Sequence, residues 1–219
     1  MKLKRSFFNR DTNIVAQELL GKKIVRVLPD GSRIEAIITE TEAYHGFDDK
    51  ASHASRGKTE RNKVMFDKAG LVYVYLIYGM HYCLNFTTMG KGFPAAVLIR
   101  AVALKIPNHK SQCPNKSQTR NSKFKNLDFE NYLKITKLKI KNLTQINGPG
   151  RTCKALQIDK SLYGEDLVAS NHIWIEPVET QIRVSKKIIS SKRIGVDYAG
   201  ECKNWEWNYK VDAKAIILC

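Results

Sequence analysis

The sequence predicts an α+β fold, read as a single domain over residues 1–219. Three observations point there. Strand–turn–strand patterns surround Pro29-Asp30-Gly31-Ser32 and Tyr78-Gly79-Met80, and strands joined by such tight turns pair antiparallel. Helix starts fall apart from these patterns, at Asp11 and at Gly148-Pro149. The length of 219 residues suits one sizeable core, and the chain shows neither an internal repeat nor a second domain.

In chain order, Asp11 caps a first helix whose apolar side is Ile14, Val15, Leu19 and Leu20, and Gly21 stops it. Lys23 to Leu28 reads as a strand, and Gly31 supplies the positive φ that the following turn needs. The chain returns over Ile34 to Glu42, with Ile34, Ala36 and Ile38 alternating with Arg33 and Glu35. Continued alternation puts Glu40, Glu42 and Tyr44 on one face. Gly46 to Gly57 is a polar loop that carries His53, and Arg56, Lys58, Arg61 and Lys63 cluster just after it. The run LVYVYLI, residues 71–77, is a strand by its aromatic and β-branched content, and HYCLNF, residues 81–86, is its return. Ala95 to Ile99 is a buried strand that delivers Arg100 at its end. Residues 107–142 are rich in Lys, Asn and Ser and read as a surface insertion. Its first half is a flexible basic loop, and Phe129 to Ile140 is either helix or strand. Gly148-Pro149 opens a helix through Cys153, Leu156 and Ile158, and His172 to Glu176 is a strand. Trp205, Trp207 and Ala215 to Leu218 close the core.

Composition narrows the function. Thirty-seven Lys and Arg against 21 Asp and Glu give a net charge of +16, which favours a polyanion through counter-ion release or reflects a generally basic surface. No run of 18 apolar residues spans a membrane, and MKLKRSFF lacks the apolar core of a signal peptide. A cytoplasmic or nuclear protein is expected, not a secreted one. The five cysteines are widely spaced, without C-x-x-C, so free thiols are expected and a zinc or iron–sulfur site is not.

The chemistry concentrates in residues 40–85. A lone E-x-E on a strand is ordinarily a solvated face, and a lone loop histidine is ordinarily exposed. Here Glu42 stands near a tyrosine-rich hairpin, with Tyr73, Tyr75, Tyr78 and Tyr82. Buried tyrosines need partners for their hydroxyls, whereas aromatic faces beside a carboxylate suit a flat heterocycle such as a nucleobase. Arg100, following a buried strand, needs an anionic partner: a structural carboxylate or one in the site.

An ordered set of motifs runs through this region. It comprises Thr39-Glu40-Thr41-Glu42-Ala43-Tyr44, His53, Arg56-Gly57, Thr59, Arg61-Asn62 and Met65-Phe66. Tyr73-Val74-Tyr75, Ile77-Tyr78-Gly79-Met80, Asn85 and Arg100 continue it. The set resembles the alkyladenine (methylpurine) DNA glycosylase family, and the resemblance extends from Phe7-Phe8 to Ala199-Gly200-Glu201. It implies a curved antiparallel sheet with helices outside. It also implies a monofunctional enzyme that flips alkylated or deaminated purines out of duplex DNA and cleaves the N-glycosidic bond with water, without metal or organic cofactor. Glu42 would activate that water, with Arg100 and the Val196 backbone positioning it. Tyr44, His53 and Tyr75 would sandwich the base, and Asn85 would exclude the exocyclic amine of guanine. Tyr78 would fill the vacated stack, while Arg56, Thr59, Arg61 and Met80 complete the DNA contact. The implied partner is double-stranded DNA containing damaged purines, bound by a monomer. Two departures stand out: Ala103-Leu104 replaces the family's Glu-Pro, and Asp197 follows Val196 where a small residue is usual. Charge and tyrosines alone also fit a non-catalytic nucleic-acid-binding protein, and the pocket alone fits an enzyme acting on free nucleosides.

Overall fold

A computed structural model describes residues 1–105, 139–140, 143–178, 182–184, 187–211 and 216–218. Most of the expected insertion at 107–142 lies outside these residues, as does the helix-or-strand question over 129–138.

Two short helices lead the chain, α1 (Arg5–Phe8) and α2 (Thr12–Leu19). The Asp11 side chain accepts from the N–H groups of Asn13 (2.9 Å) and Ile14 (3.2 Å), which satisfies two donors that the helix itself leaves open. Thr12, Val15, Ala16 and Leu19 form its buried stripe. Ile14 is exposed, contrary to the expected apolar side: the stripe follows the i, i+3, i+4, i+7 spacing, and Ile14 falls off it.

The strands are β1 (Lys23–Val27), β2 (Arg33–His45), β3 (Val72–Ile77), β4 (His81–Thr87), β5 (Ala95–Lys105) and β6 (Lys139–Ile140). They continue with β7 (Leu143–Asn147), β8 (Ile173–Glu176), β9 (Ile182–Val184), β10 (Ile188–Ser191), β11 (Asn208–Val211) and β12 (Ile216–Leu218). A curled antiparallel half-barrel sheet runs in the order β10-β11-β2-β5-β4-β3, with β1 paired to β2 and β8 to β1, and with β7 paired to β5 and β6 to β7. Both expected hairpins form, β1–β2 and β3–β4. Ile216–Leu218 does not join this sheet: β12 pairs only with β9 among the described residues. The expected helix after Gly148 is shorter than its pattern. This α3 (Pro149–Ala155) ends at Leu156, and Gln157 takes a left-handed φ of 51°, so Ile158 packs from beyond the helix.

The pairing of the two longest strands carries the main departure from simple alternation. The β2–β5 register shifts on either side of Glu40, leaving Thr39 and Arg100 as extra residues in their strands. Such bulges flip the side to which later residues point. Ala36 and Ile38 enter the core before the bulge, and Ala43 enters it afterwards. On β5 the core residues change from Val97 and Ile99 to Val102 and Leu104. Unbroken alternation would have put Glu42 on the side of Ala36 and Ile38, inside the apolar core. The bulge turns Glu40, Glu42 and Tyr44 to the opposite face together, and Thr41 points back to bond the Ala16 carbonyl of α2 at 2.8 Å. Arg100 therefore sits at a bulge inside β5 rather than at a strand end. Its carbonyl accepts from Thr152 Oγ1 of α3 at 3.0 Å. Leu104, standing where the family pattern has proline, pairs with Ala36 of β2 and Thr144 of β7; an inner strand position of this kind excludes proline.

Gly46, just after β2, has φ +74°, and an added Cβ would lie 2.6 Å from Phe93 Cζ. Gly31 has φ +83° with nothing within 4 Å of an added Cβ. Gly31→Ala should lose only the left-handed backbone cost, about 1–2 kcal/mol. Gly46→Ala should lose measurably more in denaturant unfolding, because Phe93 must also move. Equal losses would show that the Phe93 contact does not matter.

Candidate active site

Glu42 is the most deeply buried of the expected site residues. It is 0 % exposed, and an ionised carboxylate there needs donors around it. Four supply them. Oε1 accepts from the Ile194 N–H at 2.8 Å and from Asn208 Nδ2 at 3.1 Å. Oε2 accepts from the Tyr44 hydroxyl at 2.9 Å and from Arg100 Nη1 at 3.4 Å. Burial first, and the Glu42 charge second, hold the Tyr44 hydroxyl far above its ordinary pKa, so it remains a donor. Arg100 also reaches Glu40, with Nε 3.2 Å from Oε1. The expected pairing of Arg100 with Glu42 is thus present, with Glu40 as a closer second partner.

Beside Glu42 lies a cavity of about 310 Å³, lined by Tyr44, His53, Tyr75, Asn85, Arg100 and Val196 among others. This volume is at the small end for ligand sites and suits a single heterocycle. The His53 and Tyr75 rings meet edge to face with centroids 4.5 Å apart. No base fits between those two, so they form one wall together, and Tyr44 belongs to another part of the lining. His53 Nδ1 hydrogen-bonds the Tyr73 hydroxyl at 2.9 Å. Although His53 is exposed within the open cavity, crowding by protein lowers its pKa to about 4, with Arg61 adding to the effect. Burial likewise raises Tyr75, with Cys83 the next cause. Asn85 is buried, and its Nδ2 donates to the carbonyls of Tyr73 (3.0 Å) and Cys83 (3.4 Å). Those bonds commit the amide nitrogen and leave Oδ1 as the group to face a ligand. Val196 is buried, and its carbonyl accepts from the Ala199 N–H at 2.9 Å.

Of the expected contact residues, Tyr78 and Arg61 line this cavity. Tyr78 is 88 % and Met80 71 % exposed at the β3–β4 tip. Tyr78 has φ 51° and Gly79 φ 69°, with the Met80 N–H bonded to the Ile77 carbonyl at 3.0 Å. A left-handed tyrosine is costly, and this one gains no burial in return. Arg56, Thr59 and Arg61 are exposed. Arg61 lies 5.0 Å over the Tyr75 ring and donates to the Leu76 carbonyl at 3.2 Å, so it braces the tip as well as the rim. The loop bearing His53 is pinned from inside by Asn62, whose Nδ2 donates to the carbonyls of His53 and Gly57, both at 3.0 Å.

Several structural partners carry no signal of their own in the sequence. Arg193 and Asp49 form a fully buried ion pair, with Nη2 2.8 Å from Oδ1. Burial opposes the Arg193 charge, and Asp49 outweighs it, leaving the guanidinium above its usual pKa. Arg193 also donates to the Ala43 carbonyl and stacks over Tyr44 (4.8 Å) and Trp207 (5.1 Å). This pair fastens the segment bearing Ile194 and Val196 to β2 and to the loop after it. Trp205 and Trp207 are half-buried and both flank this arginine; Trp207 also packs against the main core, while Trp205 packs on Ala51, Val196, Ala199 and Cys202. Asn208 faces Glu42 across the β11–β2 pairing. Its partners come from distant parts of the chain, so only the folded register reveals it.

An enclosed carboxylate, a small aromatic cavity and an exposed tyrosine beside it are consistent with an enzyme of the DNA glycosylase class, a hydrolase of N-glycosyl bonds. Comparison with known proteins agrees. The methylpurine-DNA glycosylase family model matches residues 6–215. A Desulfitobacterium hafniense protein is 43 % identical over 96 % of this chain and 95 % of its own. Proteins of Methanocella arvoryzae and Rickettsia prowazekii are each 42 % identical, over 94 % of this chain and 90 % and 93 % of theirs. All three carry the provisional name 3-methyladenine DNA glycosylase. The chain belongs to the methylpurine-DNA glycosylase family. Among the described residues, no helix is long and apolar enough to cross a membrane, and no group of three His, Cys, Asp or Glu is placed to hold a metal.

The lowered His53 pKa has a measurable consequence. The ordinary value is 6.5 and the folded value about 4. Between them the unfolded chain holds more protons, so His53 favours folding fully above pH 6.5 and progressively less as pH falls towards 4. NMR of the labelled ring should show the neutral form at pH 6 and titration near 4. Titration near 6.5 would mean that the ring is solvated away from the wall.

Proposed function

We propose that this protein removes 3-methyladenine and related damaged purines from duplex DNA, taking the extruded base into the Glu42 cavity and hydrolysing its bond with a Glu42-activated water. The observation that carries this reading is the fully buried Glu42, held by four donors of which Tyr44, Arg100 and Ile194 line the aromatic cavity. Hydrolysis needs water aimed at C1′ and negative charge near the cationic character that develops on the sugar. Glu42 supplies both, as proton acceptor and as counter-charge. Arg100 fixes one of its oxygens, while the Ile194 N–H and Asn208 fix the other.

The cavity chemistry favours alkylated purines. Methylation of a ring nitrogen makes the base cationic and a better leaving group. A cationic ring is welcomed by aromatic faces and would be repelled by an imidazolium. His53, neutral at pH 7 because its pKa is lowered to about 4, presents a face without charge. Extrusion leaves a gap in the duplex; the exposed Tyr78 ring is the group for that gap, with Met80 beside it and Arg56, Thr59 and Arg61 at the phosphates. Asn85 crowds the guanine amine by its bulk, since its Oδ1 by itself would accept from that amine. The partner is damaged double-stranded DNA, met by a monomer.

Glu42→Gln should slow single-turnover base release by about 10²–10⁴-fold, with affinity for damaged duplex nearly retained. Release at the wild-type rate would remove Glu42 from the chemistry.

Tyr78→Ala should weaken capture of the extruded base by about 1–3 kcal/mol, the worth of one aromatic–base stack. A fluorescent base analogue reads that step directly. Since the side chain is exposed, the variant should melt no lower than wild type; unchanged capture would assign Tyr78 no part in extrusion.

A further inference from the structure

Glu42 shares its face of β2 with a second carboxylate. Glu40 points to the same side, its side chain 18 % exposed. Its Oε1 accepts from Arg100 Nε at 3.2 Å and from Asn208 Nδ2 at 2.8 Å. The same Asn208 nitrogen lies 3.1 Å from Glu42 Oε1, and Arg100 Nη1 lies 3.4 Å from Glu42 Oε2. Each of two donor groups thus spans both carboxylates. Asn208 is buried, and its Oδ1 accepts from Ser191 Oγ at 3.2 Å, which turns the amide nitrogen towards the acids.

The other charged and titratable groups around this cluster are committed elsewhere or lie at its edge. Tyr44 donates to Glu42 at 2.9 Å. Arg193 donates through Nη1 and Nη2 to Asp49, Ala43 and Cys202, and Asp49 balances the charge that it also presents to Glu42. Tyr75 and Cys83 face Glu42 from the cavity wall, and their hydroxyl and thiol are both raised, chiefly by burial. Lys210 lies opposite Glu40 on β11 and is exposed. The centre therefore counts two carboxylates and one guanidinium.

We propose that Glu40 and Asn208 are positioning residues for the hydrolysis, Glu40 offsetting the Arg100 charge so that the centre stays net negative, and Asn208 holding the two carboxylates together. This rests on the glycosylase reading above. With Arg100 as its only charged neighbour, Glu42 would be a neutralised ion pair, a weaker proton acceptor and a poorer counter-charge for the sugar cation. With Glu40 but without Asn208, two acids would repel across a buried space.

The test is the pH dependence of single-turnover base release from a duplex bearing hypoxanthine, which stays uncharged over the acidic range. Glu40→Gln keeps the shape and removes the charge. Its acidic limb should move down by about one pH unit, the scale of losing one near carboxylate, with a plateau roughly tenfold lower. Asn208→Leu removes the shared donor at similar volume and should move the limb the other way, to higher pH. Glu40→Asp keeps the charge and should restore the limb. Affinity for an abasic-site duplex should stay within threefold in all three, on the order of 0.6 kcal/mol. Limbs that stay in place while rate, affinity and melting temperature fall together would overturn the inference and leave these residues a structural role. No base release by the wild-type protein from any damaged duplex would overturn the glycosylase reading itself, a separate outcome.

Discussion

The paired bulge at Thr39 and Arg100 is the constraint on which the site depends. A strand alternates strictly, so a residue's side is fixed by its count from the core. Counted without a bulge, Glu42 would lie with Ala36 and Ile38 in the apolar interior, where a carboxylate has no partner. One extra residue in each of the two facing strands reverses the count for both. Glu42 and Tyr44 from β2 and Leu98 and Arg100 from β5 then belong to the concave face, while Thr41, Ala43, Val97 and Ile99 stay with the helices and core. The bulge delivers acid and guanidinium to the same place because it affects both strands at one point.

Reversal brings charged groups into a space nearly closed to water, and the structure must satisfy each of them. Glu42 receives four donors, Arg100 finds two carboxylates, and Arg193 and Asp49 neutralise one another. Buried ion pairs of this sort add little net stability against apolar replacements, whereas loss of one partner costs about 3–5 kcal/mol. Their retention makes sense as geometry. Arg193 ties the Ile194 N–H, one of the four donors, to the same loop that leads into His53. The orientation of Glu42 and the position of this loop are thereby one mechanical unit. The left-handed Tyr78 has the same logic at the rim, where backbone strain holds an apolar ring out in solvent.

Much of this was legible in the sequence wherever a local pattern carried it. The two hairpins follow from turn residues between alternating runs, and the α2 cap follows from Asp11. Family motifs brought Glu42, Tyr44, His53, Tyr75, Asn85, Arg100 and Val196 to one list; all but Glu42 line one cavity, and Glu42 lies behind it, bonded to Tyr44 and Arg100. The bulge was not legible, because it is a property of two strands in register rather than of either strand alone. The apolar run alone accordingly ends the strand at Arg100, whereas β5 continues to Lys105. Asp49, Asn208 and the bridging role of Glu40 stayed hidden for a related reason: their partners lie far away in the chain, as with Asn208 and Glu42. Ile14 shows the opposite error, in which apolar character suggested the core and the buried stripe of α2 runs elsewhere.

The most direct test of the account is a crystal structure of the Glu42→Gln protein bound to duplex DNA carrying a stable damaged-purine nucleotide. The account predicts the purine in the cavity against the His53–Tyr75 wall, the Tyr78 ring in the vacated stack, and a water between residue 42 and C1′. A purine still stacked in the duplex, or a residue 42 side chain turned away from C1′, would contradict it.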